Sequence, residues 1–531
     1  MKINYKKIIS VIVLVAMLTV TSLQSLSFAL DDYEYIDCWN HSSYGTGDNV
    51  GNGQKKNNDK TTAKTKDPAN LFNGSLEYTH TDLFIPSGRG LPVEITRYYN
   101  SQDVYEGPFG RGWSHNYDIQ PIKTVDSQDG TQILRRNKTG SDNIFVLSST
   151  GNNYVAQDKD SYDVLTEYAV WPSELSDISP SGVTGGYQIK DPHGKISLFD
   201  PDGKLRVISD RNRNTLKFSY DTSGRLSEVS DALNRKITFE YNSNNKIIHM
   251  RDFKSRIYTY DYDSDQNLVS VTLPATPDYP QGANTTYAYD EKNRLVSITD
   301  PEGNKYLSNI YDDNDRVIEQ HYGDYDGYIS YEPLITTYTD FNGVVTEYYF
   351  NPDGTTQKKI VYSKAIPNTV TQSYTTLYEY NEYQETTKII YPRGNVIERE
   401  YDDKGNLIKD IRRPQADSTD AESLISLMVY EPQYNMLESF TDPKGNVTTF
   451  GHDGHGNLNL ITYPEVNGQA PQASFTYDQF GRLDTYTDPN LIITKYEYDP
   501  DSGYLSGVIK NYHSVMPIGG DPLIINVETT F

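Results

Sequence analysis

The side chains in this sequence best placed to do chemistry are acidic, and they come in clusters. Asp263/Asp265, Asp312/Asp313/Asp315 and Asp499/Asp501 each put two or three carboxylates within a few residues. Two facing carboxylates can cleave a glycosidic bond, one as acid and the other as base or nucleophile. Each cluster, however, directly follows a tyrosine, at a point where the chain reverses. Asp is favoured there because its carboxylate hydrogen-bonds the backbone two residues on. The turn role accounts for these acids, and no catalysis is expected from them. Asp200 and Asp202, with Gly203 beside them, bring oxygens close enough to suggest calcium. No twelve-residue loop ending in Glu follows, so calcium is disfavoured and no other cofactor is expected.

The remaining chemistry is sparser. Nine His residues include no His-x-x-x-His pair, and the single Cys38 cannot build a zinc cluster. Ser114 and His115 are only sequence neighbours, and no Gly-x-Ser-x-Gly elbow or phosphate-cradling glycine loop is present. His115, two residues from Trp113, reads as packing. The chain holds 46 Tyr against 16 Phe and 3 Trp. Rows of exposed Tyr could stack on sugars, although Tyr in a sheet more often packs across strands. The chain therefore reads as non-enzymatic, with no metal site and no assignable ligand residues.

Charge and hydropathy narrow the partners. A net charge of -25 disfavours nucleic acid, which is bound by neutralising phosphates. A mean hydropathy of -0.67 argues against a membrane-spanning body. Lys2, Lys6 and Lys7 precede an apolar run over 8–20, and Ser27-Phe28-Ala29 fits a small-x-small cleavage site. The expectation is a secretory signal peptide cut after Ala29, giving an extracellular protein with no membrane span afterwards. Cys38 alone allows no intramolecular disulfide.

The elements that must position all this are hairpins. In 215–231, Leu216, Phe218 and Tyr220 alternate with polar residues. Asp221 and Gly224 bracket a reversal, and Leu226 and Val229 resume the apolar pattern. The pivot recurs every 21 residues, at positions 199, 220, 241 and 262, and then less regularly at Tyr289, Tyr311, Tyr401, Tyr430, Tyr477 and Tyr498, with His452-Asp453 as a degenerate copy. Six residues after nearly every pivot stands an aliphatic residue or Met: Leu205, Leu226, Ile247, Leu268, Leu295, Val317, Leu407, Met436, Leu458 and Leu483. Between pivots lies Asp-Pro-x-Gly, as at Asp191, Asp300 and Asp442, which suits a type I turn. Each repeat is thus expected to be a hairpin with two dissimilar turns. Lone hairpins are marginal, so neighbours must pair into one long sheet, which strand twist forces to coil. Two stretches break the rhythm. Residues 324–373 keep strands but lose spacing. Residues 412–423 form a polar insert, read as a loop although Thr419 and Glu422 could cap a short helix.

The expected division is a signal peptide over 1–29, a polar leader over 30–66 and a small N-terminal β module over 67–186. A sheet of these hairpin repeats over 187–510 follows, and 511–531 is an incomplete repeat or truncated end. The fold class is mostly β. The repeat, with Tyr220, Asp221, Gly224, Arg225 and Leu226 in one copy, resembles that of the Rhs/YD-repeat family. Tyr289, Asp290, Arg294, Leu295, Asp300, Pro301 and Gly303 form a second copy, in which Asn293 replaces the turn Gly. Tyr477, Asp478, Gly481, Arg482 and Leu483 form a third. Residues 67–117 look like the domain that commonly precedes such repeats, on the marks Arg97, Tyr99, Asn100 and Phe109, Gly110, Gly112, Trp113. The resemblance implies a coiled β shell that in many members encloses a toxic C-terminal domain. It also implies a secreted, wall-associated system used against neighbouring cells, or alternatively a surface adhesin that binds wall or surface glycans. Neither a plugging core segment nor a toxin is recognisable here. The expected partner is therefore a C-terminal toxin and core region, on a longer product or a separate chain.

Overall fold

The structure is a computed structural model that describes residues 69–126, 130–136, 142–147, 153–156, 162–323, 325–363, 372–513 and 527–530. The signal segment, the cleavage point after Ala29, Cys38 and the leader over 30–66 lie outside the described residues.

The repeat unit folds as its alternation predicts. Strand Thr215–Tyr220 pairs antiparallel with Leu226–Ser230, Phe218 opposite Val229. A bulge falls between Ser219 and Tyr220, so that Tyr220 faces Leu226. Leu226–Ser230 then pairs with Lys236–Tyr241 without a bulge. The same plan, bulge included, recurs at Tyr241, Tyr262, Tyr289, Tyr401 and Tyr477. The expected dissimilarity of the two turns needs correcting. At the pivot turn, Asp221 Oδ1 accepts from the amides of Ser223 and Arg225, and the Asp221 carbonyl accepts from Gly224. At the opposite turn, Asp231 does the same with Leu233, Arg235 and Asn234. Both ends use one carboxylate clasp, because any reversal of this length leaves the same amides in need of an acceptor. In this repeat they differ in the bulge, which falls on the pivot side alone.

Strands paired in this way, each with its sequence neighbours, build one ribbon from Gln120–Asp126 to Val527–Thr530. It passes through 186/187 without a break, since Val164–Tyr168 pairs with Gly186–Lys190. The earlier strands lack the pivot but join the same sheet, because ladder pairing is made by the backbone. The rhythm-breaking stretch also stays in the ladder, through Tyr325–Glu332 and Ile335–Thr339. In the polar insert the structure corrects the expected loop. A single 3-10 turn spans Asp420–Glu422, closed by the Thr419 amide donating to Glu422 Oε2 at 2.9 Å.

Side chains opposite one another across the ladder share a face. One row runs through Phe218, Val229, Tyr260, Val271, Tyr287 and Ile298, and onward to Phe475, Tyr486, Tyr496 and Val508. The ribbon coils, as its twist requires. Turn tips meet others much further along the chain: Tyr162 reaches Glu385, His193 reaches Tyr434, and Asn212 reaches Asn457. A smaller sheet of Glu77–Ile85, Val93–Asn100 and Trp113–His115 packs against the row. Together they bury a core that contains Ile95 and Trp113 from the small sheet, Leu76 and Phe109 from the segments beside it, and Phe218, Tyr260, Leu268 and Ile298 from the ribbon.

Candidate functional site

The region where the two sequence signatures meet is the interface between the small sheet and the ribbon. It starts from a bulge. The register of Glu77–Ile85 slips between Thr81 and Leu83, which leaves Asp82 as the extra residue and turns it inward. Asp82 receives Arg97 Nε at 2.6 Å and Nη2 at 2.8 Å, a two-pronged pair. His80 Nδ1 lies 3.0 Å from its Oδ1, and the Tyr260 hydroxyl donates to its Oδ2 at 2.9 Å. Arg97 also donates to the Tyr287 hydroxyl at 3.1 Å, and its guanidinium lies 4.9 Å from the centre of the Trp113 ring. Burial raises the Asp82 carboxyl, but the charge of Arg97 and the bonds from His80 and Arg97 outweigh it and hold it well below the usual carboxylate range. Burial drives the Tyr260 hydroxyl up, and the neighbouring Asp82 charge adds to the rise. Burial likewise lowers His115, whose Nδ1 accepts from the Tyr117 amide and whose ring meets Phe109 edge-on. A carboxylate this fully occupied and hydroxyls this firmly protonated are structural groups.

The module motifs grip the repeat motifs directly. Trp113 Nε1 donates to the Tyr289 hydroxyl at 2.9 Å, and that hydroxyl donates to the Leu268 carbonyl at 2.9 Å. Tyr99 Oη accepts from the Leu295 amide at 2.9 Å. The Pro108 carbonyl takes the Ile247 amide, and the Gly74 carbonyl takes that of Val317. Ile247, Leu295 and Val317 all stand six residues after a pivot, beside the bulge, where the ladder leaves an amide over. Phe109 packs 4.9 Å from Tyr260, and Gly110, at φ +104°, leaves no room for a side chain beneath the Gln266 carbonyl. Asn100 and Gly112 hold the module's own turn, with the Asn100 amide donating to the Gly112 carbonyl.

The repeat residues tie each hairpin to the next. Tyr220 donates to the Leu205 carbonyl at 2.9 Å, Tyr477 to Leu458 at 2.7 Å and Tyr498 to Leu483 at 2.8 Å. Each pivot hydroxyl thus reaches the six-later residue of the repeat before it. Arg225, Arg294 and Arg482 bind the Asp at the head of their own turn, Asp221, Asp290 and Asp478. Each guanidinium also lies over the next pivot ring: Arg225 on Tyr241, Arg294 on Tyr311 and Arg482 on Tyr498, at 4.3–4.6 Å. Leu226 and Leu295 are buried, and Leu483 is half-buried. Gly224, Gly303 and Gly481 all take positive φ at the fourth turn position, and Asn293 does so in place of glycine. Asp300, with Pro301 next, clasps Asn304 through backbone and side chain. The acid clusters considered for catalysis prove to be turn groups: Asp263 accepts from the Asp265 and Asn267 amides, and Asp499 from those of Asp501 and Ser502. Asp200 likewise accepts from Asp202 and Lys204. Among the described residues no group of three or more His, Cys, Asp or Glu is placed to hold a metal ion, and no helix is long and apolar enough to cross a membrane.

Sequence reasoning missed Asp82, Tyr260, Tyr287 and the contacts between distant turns. Asp82 carries no repeat signal, and its inward turn comes from a one-residue slip.

Comparison with known families decides the assignment. Residues 192–281 match the family described as Teneurin YD-shell, and residues 278–305 match RHS Repeat. Residues 66–145 match a domain of unknown function, DUF6531. The chain is an Rhs/YD-repeat protein. Its RHS Repeat match falls on the hairpin that Trp113 and Tyr99 grip, and its DUF6531 match includes the whole small sheet. No curated protein matches the sequence. Among solved structures, TcdB2-TccC3-Cdc42 is similar at 12% identity and TM-score 0.39, over 86% of this chain and 27% of that one. The Photorhabdus luminescens Tc holotoxin pore with a mutated TccC3 is similar at 14% identity and TM-score 0.38, over 87% and 27%. The Rhs/YD chain thus spans about a quarter of the length of these solved chains.

Proposed function

We propose that this protein is the non-catalytic shell portion of a secreted Rhs-type toxin-delivery system that acts on neighbouring cells. The toxin and core region would lie C-terminally, on a longer product or on a second chain. The observation that carries this reading is the unequal use of one face. The core shared with the module extends along the apolar row to Phe350, and the same row continues outside that core through Met428, Phe440, Phe450, Ile461 and Phe475, with Phe440, Phe450 and Phe475 only half-buried. A coiled wall with an apolar row left partly exposed suits a scaffold that receives another polypeptide. The buried side chains described above are spent on structure, which supports a non-enzymatic role without cofactors. The signal-like N-terminus supports secretion, with retention at the cell wall. The repeat would begin near 187 in sequence terms, within a ribbon that begins earlier.

The test is isolation of the protein from the medium and wall fraction of its native producer, followed by protease treatment and mass spectrometry. The reading expects a protease-protected polypeptide, continuous with this chain or co-purifying with it. Recovery of an empty ribbon would overturn it. The adhesin reading keeps one observation in its favour. Tyr306, Tyr322, Tyr325 and Phe341 form a chain of rings, and Tyr322 and Tyr325 are 40% and 59% exposed. Binding to wall polysaccharide that is lost in Tyr325→Ala would favour that reading.

A further inference from the structure

The hairpin loop of the N-terminal module, residues 86–92, does not stay with the face its strands cover. It reaches the line where distant turns of the ribbon meet. The Pro86 carbonyl accepts from Arg235 Nη2 at 3.0 Å and from the Tyr504 hydroxyl at 2.8 Å, two residues 269 positions apart that also bond each other at 3.0 Å. The Gly88 carbonyl accepts from Arg482 Nη1 at 3.4 Å. Arg89 donates to the Pro500 carbonyl at 2.7 Å and lies 4.3 Å over the Phe480 ring. On the other side, Gly90, at φ +69°, is pressed against Asn214, whose Nδ2 donates across the line to the Phe480 carbonyl at 2.9 Å. At Gly88 the fit is closest: a Cβ there would sit 2.1 Å from the carbonyl carbon of Gly503. The loop therefore touches the turns at 210–214 and 231–235 from the early ribbon and those at 478–482 and 499–504 from the late ribbon.

The bonding around it is of a different kind from that within the ribbon. Along the ribbon, each strand is held by a ladder of backbone bonds. Across the line, turn tips meet through side-chain contacts, such as the reciprocal amide pair of Asn212 and Asn457 and the ring of His193 against the Tyr434 carbonyl. Bonds of this kind, outside any ladder, open more readily than a ladder does. The two arginines that donate to the loop are set in place by other means: Arg235 and Arg482 are clasped by Asp231 and Asp478 at the heads of their own turns. Loop carbonyls thus meet donors already in position, at a cost in ordering entropy that is small for both sides.

We propose that this loop is a latch. It holds the late turns against the early ones, so that its release opens the coil along this line and gives access to the apolar row at Phe475, Tyr486 and Tyr496. The latch is independent of the Asp82–Arg97 lock, which fixes the module to strands Ile257–Tyr262 and Asn284–Tyr289.

Hydrogen exchange on the full chain carrying Gly88→Val tests this, with Arg89→Ala as a second variant that leaves the backbone contact free to form. The expected result is exchange about tenfold faster or more in the turns at 210–214, 478–482 and 499–504. Strands Ile257–Tyr262 and Asn284–Tyr289 should keep wild-type protection, because the module stays docked. Arg89→Ala should show the same pattern at smaller amplitude. Unchanged exchange at those turns in both variants would overturn the latch. So would a uniform rise along the whole ribbon, which would mark the loop as a general packing element.

Discussion

The pair Thr215–Tyr220 and Leu226–Ser230 and the pair Gln472–Tyr477 and Leu483–Thr487 are built alike. Both carry the bulge before the pivot, the Asp–Arg clasp at the turn and the tyrosine hydroxyl on the preceding repeat's carbonyl. Their surroundings differ. Phe218 and Val229 are buried in the core shared with the module, where Phe218 meets Tyr117 at 4.9 Å. Phe475 and Tyr486 hold the same row positions, touch each other at 5.2 Å and remain half-buried. The hairpin's shape is therefore set by its own turn and ladder chemistry. Its burial is set by what lies over it.

The sharpest way to break this contrast is to undock the module. Arg97→Met leaves the buried Asp82 without its cation, and an uncompensated buried charge costs about 3–5 kcal/mol. Urea unfolding followed by tryptophan fluorescence in a background with Trp39→Phe and Trp171→Phe should show that loss, while exchange in the strands near Phe475 stays as it was. Next in size, Phe218→Ala is expected to cost about 3–5 kcal/mol through the cavity it opens, against about 1 kcal/mol for Phe475→Ala, by the same denaturation measurement. A smaller contrast is expected at the pivot hydroxyls. Tyr289→Phe strands both the Trp113 N–H and the Leu268 carbonyl in the core, costing about 1–3 kcal/mol, whereas Tyr477→Phe should cost about 1 kcal/mol. The smallest effect belongs to Arg225→Ala. Its pair with Asp221 is part-exposed, so about 1 kcal/mol or less is expected in either half of the ribbon.

Acid should act on the same contrast. The Asp82 carboxyl is held below its unfolded value of about 3.9. Its contribution to stability is therefore complete above that pH and is lost as pH falls through the lower, folded value. The Asp82 part of docking should be flat from about pH 7 to pH 4 and weaken only in stronger acid, beneath the earlier loss that buried, neutral His115 brings as pH falls below about 6.5. Tryptophan fluorescence against pH in a His115→Gln background reads the Asp82 step, and a transition near neutrality there would contradict it.

Much of the fold was legible because turn chemistry is local. Asp221, Gly224 and the aliphatic residue at 226 announce a hairpin wherever they occur, and repetition at one offset implies a coiled ribbon. The domain motif residues were also readable, though not their partners. Trp113 and Tyr289 are 176 residues apart, and only docking brings them together. Asp82 was illegible because its role depends on a bulge, which no alternation pattern marks. Gly88 and Gly90 lie in the loop between Glu77–Ile85 and Val93–Asn100, and their constraint is the approach of Gly503 and Asn214, which depends on how a small twist per strand accumulates around the coil. The strands from Gln120 onward looked separate from the repeat because they lack its side-chain signature, while the ladder they join is indifferent to it.

Native-state hydrogen exchange along the whole chain measures the central claim directly. If the module's cover, and not the hairpin itself, confers stability, strand amides from 187 to 350 should exchange much more slowly than those from 373 to 510, and Arg97→Met should remove that step. Equal protection on both sides of residue 350 in the unmodified protein would contradict the account.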